Sequence, residues 1–486
     1  FWGALAFALY LLVGLGGPSA SAAAQKSFLI VGGADALFML GVVLVWIDAG
    51  TTSMRPGSSG IGSGGSTLAL ACFVAAAFAK AGAPPLHSWL PEACREAPIP
   101  VAALLPAALD KILAAYLLLR TVTLFELGGL ADASLMVVGS LGIVTAMLLA
   151  LVQRDMRDLL AWSTVGQVGY IVLGIGTGTA VGLAGALFHA INNAIFKTCL
   201  FLGAGGVEQR VGSTDLGRGG GLAKRMPVTF ACCAVASLAI AGVPPLSGFA
   251  SKWMIYQGVI ETGRDGSALW IGCLVAAMLG SALTLATFLK LLHAVFLRKA
   301  PAAGPGALTA REVGVSMWGP MALLAALCLA FGIFPHALPL QHLVFPSLGG
   351  PVQLPGVWWA GAATAMLAGA FLAGTGLYLV SVTGRVRRSE TYIGGERMDE
   401  TYLRGVARGD RRDVEVTGVD FYDTVRDVRS LRAFYGAAEA GRLDPYEWLR
   451  AGLDRLTAIL GRAHSGSLPT YLTWSFLGVV ALLYAL

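Results

Sequence analysis

Twelve apolar segments near bilayer-crossing length run through the chain, at about 1–17, 26–48, 66–90, 99–125, 132–152, 157–177, 179–204, 225–261, 268–297, 314–340, 356–382 and 468–486. Polar residues gather between them, so the pattern predicts an all-α, polytopic bundle of transmembrane helices. The loops give an independent check. After the odd-numbered segments come Lys26, then Arg95, then Arg154 with Arg157. Arg210, Arg218, Lys224 and Arg225 follow, then Arg298, Lys299 and Arg311, then a long charged stretch. The alternate loops hold only Arg55, Arg120 and Arg264. This asymmetry supports the helix count and puts the charged loops in the cytoplasm, with both chain ends outside.

The stretch 383–467 breaks the membrane pattern. Of the 62 charged residues, 29 lie between Arg385 and Arg462. Within it, Leu449, Leu453, Leu456 and Leu460 recur at helical spacing among charges. Two readings stand: an amphipathic helix lying along the membrane or a partner subunit, or a solvated cytoplasmic hairpin. Residues 49–65, rich in Gly and Ser, read as a flexible outer loop.

Composition agrees. Only 13% of the 486 residues are charged, 56% are hydrophobic and mean hydropathy is +0.71. A soluble domain carries about 25% charged residues. The net charge of +6 does not point to nucleic acid, because the basic residues sit in short loops rather than on one face of a soluble domain. Seven cysteines without a C-x-x-C spacing offer no metal or disulfide framework. The sequence opens at Phe1 inside an apolar run, which suggests that the natural polypeptide extends upstream.

One phrase occurs twice. Ala81-Gly82-Ala83-Pro84-Pro85-Leu86 lies in the third segment and Ala241-Gly242-Val243-Pro244-Pro245-Leu246 in the eighth. Tandem prolines lack amide hydrogens and clash with the preceding turn, so each phrase should break its helix. Carbonyls freed by a break in the membrane need protein or water to satisfy them. The copies are five segments apart, so they enter the bilayer from opposite sides. That predicts an inverted-topology repeat with a broken helix in each half.

Ionisable residues inside the spans are costly and tend to be functional. Here they are Asp35, Lys80, Asp110, Lys111, His189, Lys197, Lys252, Lys290 and His293. A lysine held away from water can take up and release a proton near neutral pH. Lys80 precedes the first break and Lys252 follows the second, with Asp35 as a candidate counter-charge for Lys80. Each has a plainer reading. Lys290 can snorkel to an interface, and a lone histidine such as His189 is often only hydrogen-bonded to a neighbour.

The run KAGAPPLHSWLPEACREAPIPVAALLPAALDKILAAYLLLR at 80–120 resembles the signature of the antiporter-like subunits of respiratory complex I, energy-converting hydrogenases and multisubunit cation/proton antiporters. RDLLAWSTVGQVGYIVLGI at 157–175, FHAINNAIFKTCLFL at 188–202 and GVPPLSGFASKWMIY at 242–256 look like its later blocks. The resemblance implies fourteen core helices with two inverted five-helix repeats. It places four helices upstream of Phe1 and makes the long cytoplasmic stretch before a last helix similar to that of the large complex I subunit. The stretch here is shorter, which argues against a full lateral helix.

By the same resemblance, residues 1–125 form a first half-channel repeat and 126–300 a second. Residues 301–382 are peripheral membrane helices, 383–467 the charged cytoplasmic segment and 468–486 a last membrane helix. A proton relay is implied through Lys80, Lys111, His189, Lys197 and Lys252, with Asp35 and Asp110 beside it and the breaks at Pro84, Pro85, Pro244 and Pro245. One departure matters. Either the register at the chain start differs from the family's, or Gly3 stands where the family carries a glutamate that pairs with the central lysine. Asp35 or Asp110 then substitutes, or the first half does not conduct.

The expected function is proton translocation within a redox-driven complex of the cell inner membrane, of NADH-quinone oxidoreductase or energy-converting hydrogenase type. The chain would carry no metal or cofactor of its own, and its partners would be other membrane subunits, protons or sodium ions, and lipid. The alternatives are a gradient-driven sodium/proton antiporter subunit or a structural scaffold with an inactive ion path.

Overall fold

The computed structural model describes residues 2–51, 64–125, 128–263, 268–298, 310–353 and 428–463. Scattered positions at 365–376, 425–426 and 473–479 are also described. The expected outer loop, most of the charged stretch and the segments 356–382 and 468–486 lie largely outside them.

The described elements are helical. α1 is Trp2–Val13. α2 (Ala20–Ser27) runs through a π turn at Phe28–Gly32 into α3 (Gly33–Ala49). α4 is Gly64–Ala81, α5 is Trp89–Glu96 and α6 is Ile99–Leu104. A second π turn, Leu105–Leu109, leads into α7 (Asp110–Leu124). Then come α8 (Leu130–Leu151), α9 (Met156–Gly176) and the 32-residue α10 (Ala180–Val211). α11 (Pro227–Ala241), α12 (Ser247–Thr262), α13 (Leu269–Leu292) and α14 (Val315–Ile333) complete this part.

Six of the described helical runs are long and apolar enough to cross a bilayer. They include Ala20–Ala49, which begins six residues before the segment expected at 26–48. Lys26 therefore lies within α2 rather than in a loop, buried and paired with Glu92 at 2.8 Å.

The centre is built from α9 and α10. Nearly every residue of α9 is buried, and α10 packs against α9, α11, α12 and α14. The rim helices turn large apolar side chains outward, with Met39 and Ile47 on α3, Val275 and Met278 on α13 and Leu323 on α14 exposed. An apolar exterior around an apolar core is what lipid as solvent requires.

The charged loops meet at one end of the bundle. The amide of Gly17, after α1, donates to Glu96 O at 3.0 Å. Arg157 donates to Arg95 O at 2.7 Å, and Met156 N to Thr214 O at 3.0 Å. Arg298 donates to Gly219 O at 3.2 Å and Arg210 to Glu312 O at 2.9 Å. The loops after the first, third, fifth, seventh and ninth expected segments thus share one face, as alternating crossings demand.

The chain divides into two compact units, Phe1–Asp427 and Val428–Leu486. In the second, α15 (Arg429–Glu439) and α16 (Pro445–Ala463) are described. The expected leucine stripe lies on α16, and Leu449, Leu453, Leu456 and Leu460 are all exposed.

Candidate functional site

Both A-G-x-P-P phrases end their helices by the same bonds. After α4, Gly82 takes a left-handed φ of 65°, its amide donates to Ala79 O and the Ala83 amide to Phe78 O. After α11, Gly242 has φ 84°, with Gly242 N donating to Ala239 O and Val243 N to Leu238 O. This paired closure favours glycine, and the prolines that follow forbid another helical turn. Side chains add further bonds at both helix ends. Trp89 Nε1 donates to Ala79 O at 2.8 Å, and Lys252 Nζ donates to Ile240 O at 3.0 Å.

At the first break, Lys80 is fully buried in the last turn of α4. Its ammonium donates to Trp2 O at 2.9 Å and lies 4.3 Å from the centre of the Trp2 ring. Asp35 Oδ1 is 3.7 Å away, an ion pair rather than a hydrogen bond. Gly3 explains how Asp35 fits. A Cβ on Gly3 would stand 3.6 Å from Asp35 Oδ2, so the carboxylate from α3 fills the space beside the missing side chain.

The next members come from α7. Pro106 lies in the π turn just before it, where its missing amide interrupts the α ladder. Asp110 and Lys111, both buried, open α7. Asp110 is an electrostatic neighbour of Lys80 and of Lys111. Lys111 Nζ lies 5.1 Å from the centre of the Trp89 ring and has no hydrogen-bond partner among the described residues. It borders a small cavity lined also by Phe78, Leu118, Val168 and Ile171.

From there the row follows α10. Lys197 donates to Leu160 O at 2.8 Å and closely to Ser163 Oγ, with the Phe288 ring centre 5.6 Å away. Lys111 is its electrostatic neighbour across the helix boundary. Asn193 and His189 stand four and eight residues earlier, on successive turns of one face. Asn193 donates to Ala107 O at 3.3 Å, and its own buried carbonyl oxygen has no hydrogen-bond partner among the described residues. His189 bridges Ser251 Oγ at Nδ1, 3.0 Å, and Gln167 Oε1 at Nε2, 3.2 Å. The imidazole thus sits between a hydroxyl and an amide, one ring nitrogen on each.

Lys252, beside Ser251 on α12, ends the row. Besides Ile240 O it donates to Ser281 Oγ at 3.1 Å, and the Tyr170 ring centre is 4.5 Å away. Ser281 Oγ also contacts Tyr170 Oη at 2.8 Å and Tyr256 Oη at 2.7 Å. Tyr170 donates to Ala277 O at 2.6 Å.

Lys80, Asp110, Lys111, His189, Lys197 and Lys252 are all buried, and Asp35 is paired with Lys80. The halves differ in chemistry. A carboxylate pairs with Lys80 in the first, whereas the hydrogen bonds of Lys197 and Lys252 run to carbonyls and serine hydroxyls. Lys290 is neither snorkelling nor in the row. It is buried and donates to Leu151 O and Gln153 O, 2.8 and 2.9 Å away, at the end of α8. Trp2, Trp89, Ser163, Gln167, Tyr170, Asn193, Tyr256 and Ser281 were not anticipated. Asn193 had a usable signal, the four-residue spacing His189, Asn193, Lys197.

A family profile described as NADH:quinone oxidoreductase/Mrp antiporter, TM matches residues 1–289. Hydrogenase-4 component B of Escherichia coli (strain K12) is 36% identical over 335 residues, covering 63% of this chain and 48% of that protein. NADH-quinone oxidoreductase subunit N of Desulforudis audaxviator (strain MP104C) is 35% identical over 346 residues, 67% of each chain. The chain thus spans about half the length of the first relative (48%) and 67% of the second. A chain in the structure of the membrane-bound sulfane sulfur reductase, an archaeal respiratory membrane complex, superposes with a TM-score of 0.78 at 25% identity. That match covers 100% of this chain and 79% of the other.

Proposed function

The chain belongs to the NADH:quinone oxidoreductase/Mrp antiporter family of multi-pass membrane subunits, and we propose that it carries protons along the buried row from Lys80 to Lys252. The observation that carries this reading is the set of four buried lysines that α4, α7, α10 and α12 place in the middle of an apolar bundle, with Asn193 and His189 on the Lys197 face of α10 and His189 bonded to Ser251, the chain neighbour of Lys252. Lysine, histidine and hydroxyl groups can each take and pass a proton.

Residues 1–125 and 126–300 act as two halves of the path. The linked charged loops face the cytoplasm, the bundle spans the cell inner membrane, and other membrane subunits of a redox-driven complex supply the driving event. The relatives are components of such assemblies by name, which supports this placement. The chain supplies positions for protons and no redox group of its own.

The test is proton translocation by the purified assembly in liposomes. Lys252→Ala and Lys80→Ala are each expected to lower the rate by at least about tenfold while the assembly forms normally. A wild-type rate in Lys252→Ala sinks the reading. Repeating the assay with and without sodium distinguishes a sodium/proton exchanger, whose rate would follow the sodium gradient.

A further inference from the structure

We propose that Ser281 and Tyr256 form the outlet of the row, with the Ser281 hydroxyl acting as a two-position selector between an open arm and a closed one. This rests on the proton-carrying role of Lys252 given above. Neither residue was anticipated from the sequence.

The argument starts from the partners of Lys252. Its ammonium meets the Ile240 carbonyl, the Tyr170 ring face and the Ser281 hydroxyl. A backbone carbonyl accepts a hydrogen bond but has no hydrogen to pass on, and a ring face steadies a cation without taking its proton. Only the hydroxyl both accepts and donates. A proton leaving Lys252 through these groups therefore leaves through Ser281 Oγ.

Ser281 has one hydrogen and two phenols to give it to. Tyr170 is fully buried, and its own hydrogen is committed to Ala277 O at 2.6 Å. A hydrogen bond from Ser281 to Tyr170 thus ends at a carbonyl. Tyr256 is different. It lies four residues after Lys252 on the same face of α12, one turn nearer the end of that helix at Thr262. It is only partly buried, as is Ser281. The end of α12 is the end of the bundle opposite the linked charged loops, because α13 starts there at Leu269 and runs back to Arg298.

The transfer balances without any other reactant than water. Lys252 Nζ gives a proton to Ser281 Oγ, Ser281 gives its own hydrogen to Tyr256 Oη, and Tyr256 gives its hydrogen to a water molecule. The lysine becomes a neutral amine, both hydroxyls are restored and one proton has reached water. Rotation of the two hydroxyls resets the arm.

The experiment uses the purified assembly in liposomes with a trapped pH-sensitive dye and a potassium diffusion potential. Tyr256→Phe, which removes one oxygen, and Ser281→Ala are expected to lower proton flux about tenfold with normal assembly. Ser281→Thr, which keeps the hydroxyl, is expected to retain more than about half. Tyr170→Phe removes the competing acceptor and is expected to raise the flux, by at most about twofold for two equally populated positions. Wild-type flux in Tyr256→Phe, with Lys252→Ala inactive, overturns the outlet and leaves the lysine row standing. Flux in Tyr170→Phe that falls as far as in Tyr256→Phe overturns the selector. Wild-type flux in Lys252→Ala overturns the row itself.

Discussion

Asp35→Asn isolates the charge that pairs with Lys80 beside Gly3. The substitution keeps the size of the side chain and leaves the Lys80 bond to Trp2 O intact, so the fold has little reason to change. At the observed 3.7 Å, two unit charges attract by about 4.5 kcal/mol at an effective dielectric constant of about 20, and by about 1 kcal/mol in bulk water. Lys80 is fully buried and the Asp35 side chain only 15% exposed, so the larger figure is nearer. A loss of a few kcal/mol is at least about tenfold in the occupancy of the paired state. Proton translocation by assembled complex should fall by that factor or more. Gly3→Asp in the Asp35→Asn background returns a carboxylate to the same space, since the Gly3 Cβ would lie 3.6 Å from the Asp35 oxygen. Partial recovery is expected. A wild-type rate in Asp35→Asn would refute the pairing argument outright.

Two structural predictions follow from the same frame. Gly332→Ala would put a Cβ 2.0 Å from Pro245 O and 2.4 Å from Leu246 C, both backbone atoms at the second break. It should lower stability by about 1–3 kcal/mol or more, read as a lower thermal midpoint of the detergent-solubilised assembly. Lys290→Met removes two bonds to the end of α8 and should reduce the amount of assembled complex. Flux per assembled complex should stay at the wild-type level, whereas a lower value would place Lys290 in the path after all.

The spans were legible because lipid demands long apolar runs, and the breaks because A-G-P-P chemistry stops a helix from its own residues. The buried lysines were legible for a related reason: charge is rare inside such runs. What the sequence concealed depends on how helices are rotated against each other. Ser281 is separated from Tyr170 by 111 residues and from Lys252 by 29, and nothing local marks it among its apolar neighbours. Asp35 was legible as a counter-charge for Lys80, whereas its exact setting beside Gly3 depends on how α3 leaves its π turn. Lys26 and Lys290 went the other way. One read as a loop charge and the other as an interfacial or relay lysine, yet both are buried, in an ion pair and in a helix-end cap respectively.

The lysine that closes the second break has a consequence for mechanical work. Lys252 Nζ holds the end of α11 by its bond to Ile240 O while also reaching Ser281. An ammonium has three hydrogens for these two acceptors, and a neutral amine still has two. The joint can therefore stay latched whether the nitrogen is charged or not. A carboxylate or imidazole in that place would lose or reverse its bond on each cycle. On the proposed relay, lysine would let charge come and go at this joint without releasing the end of α11.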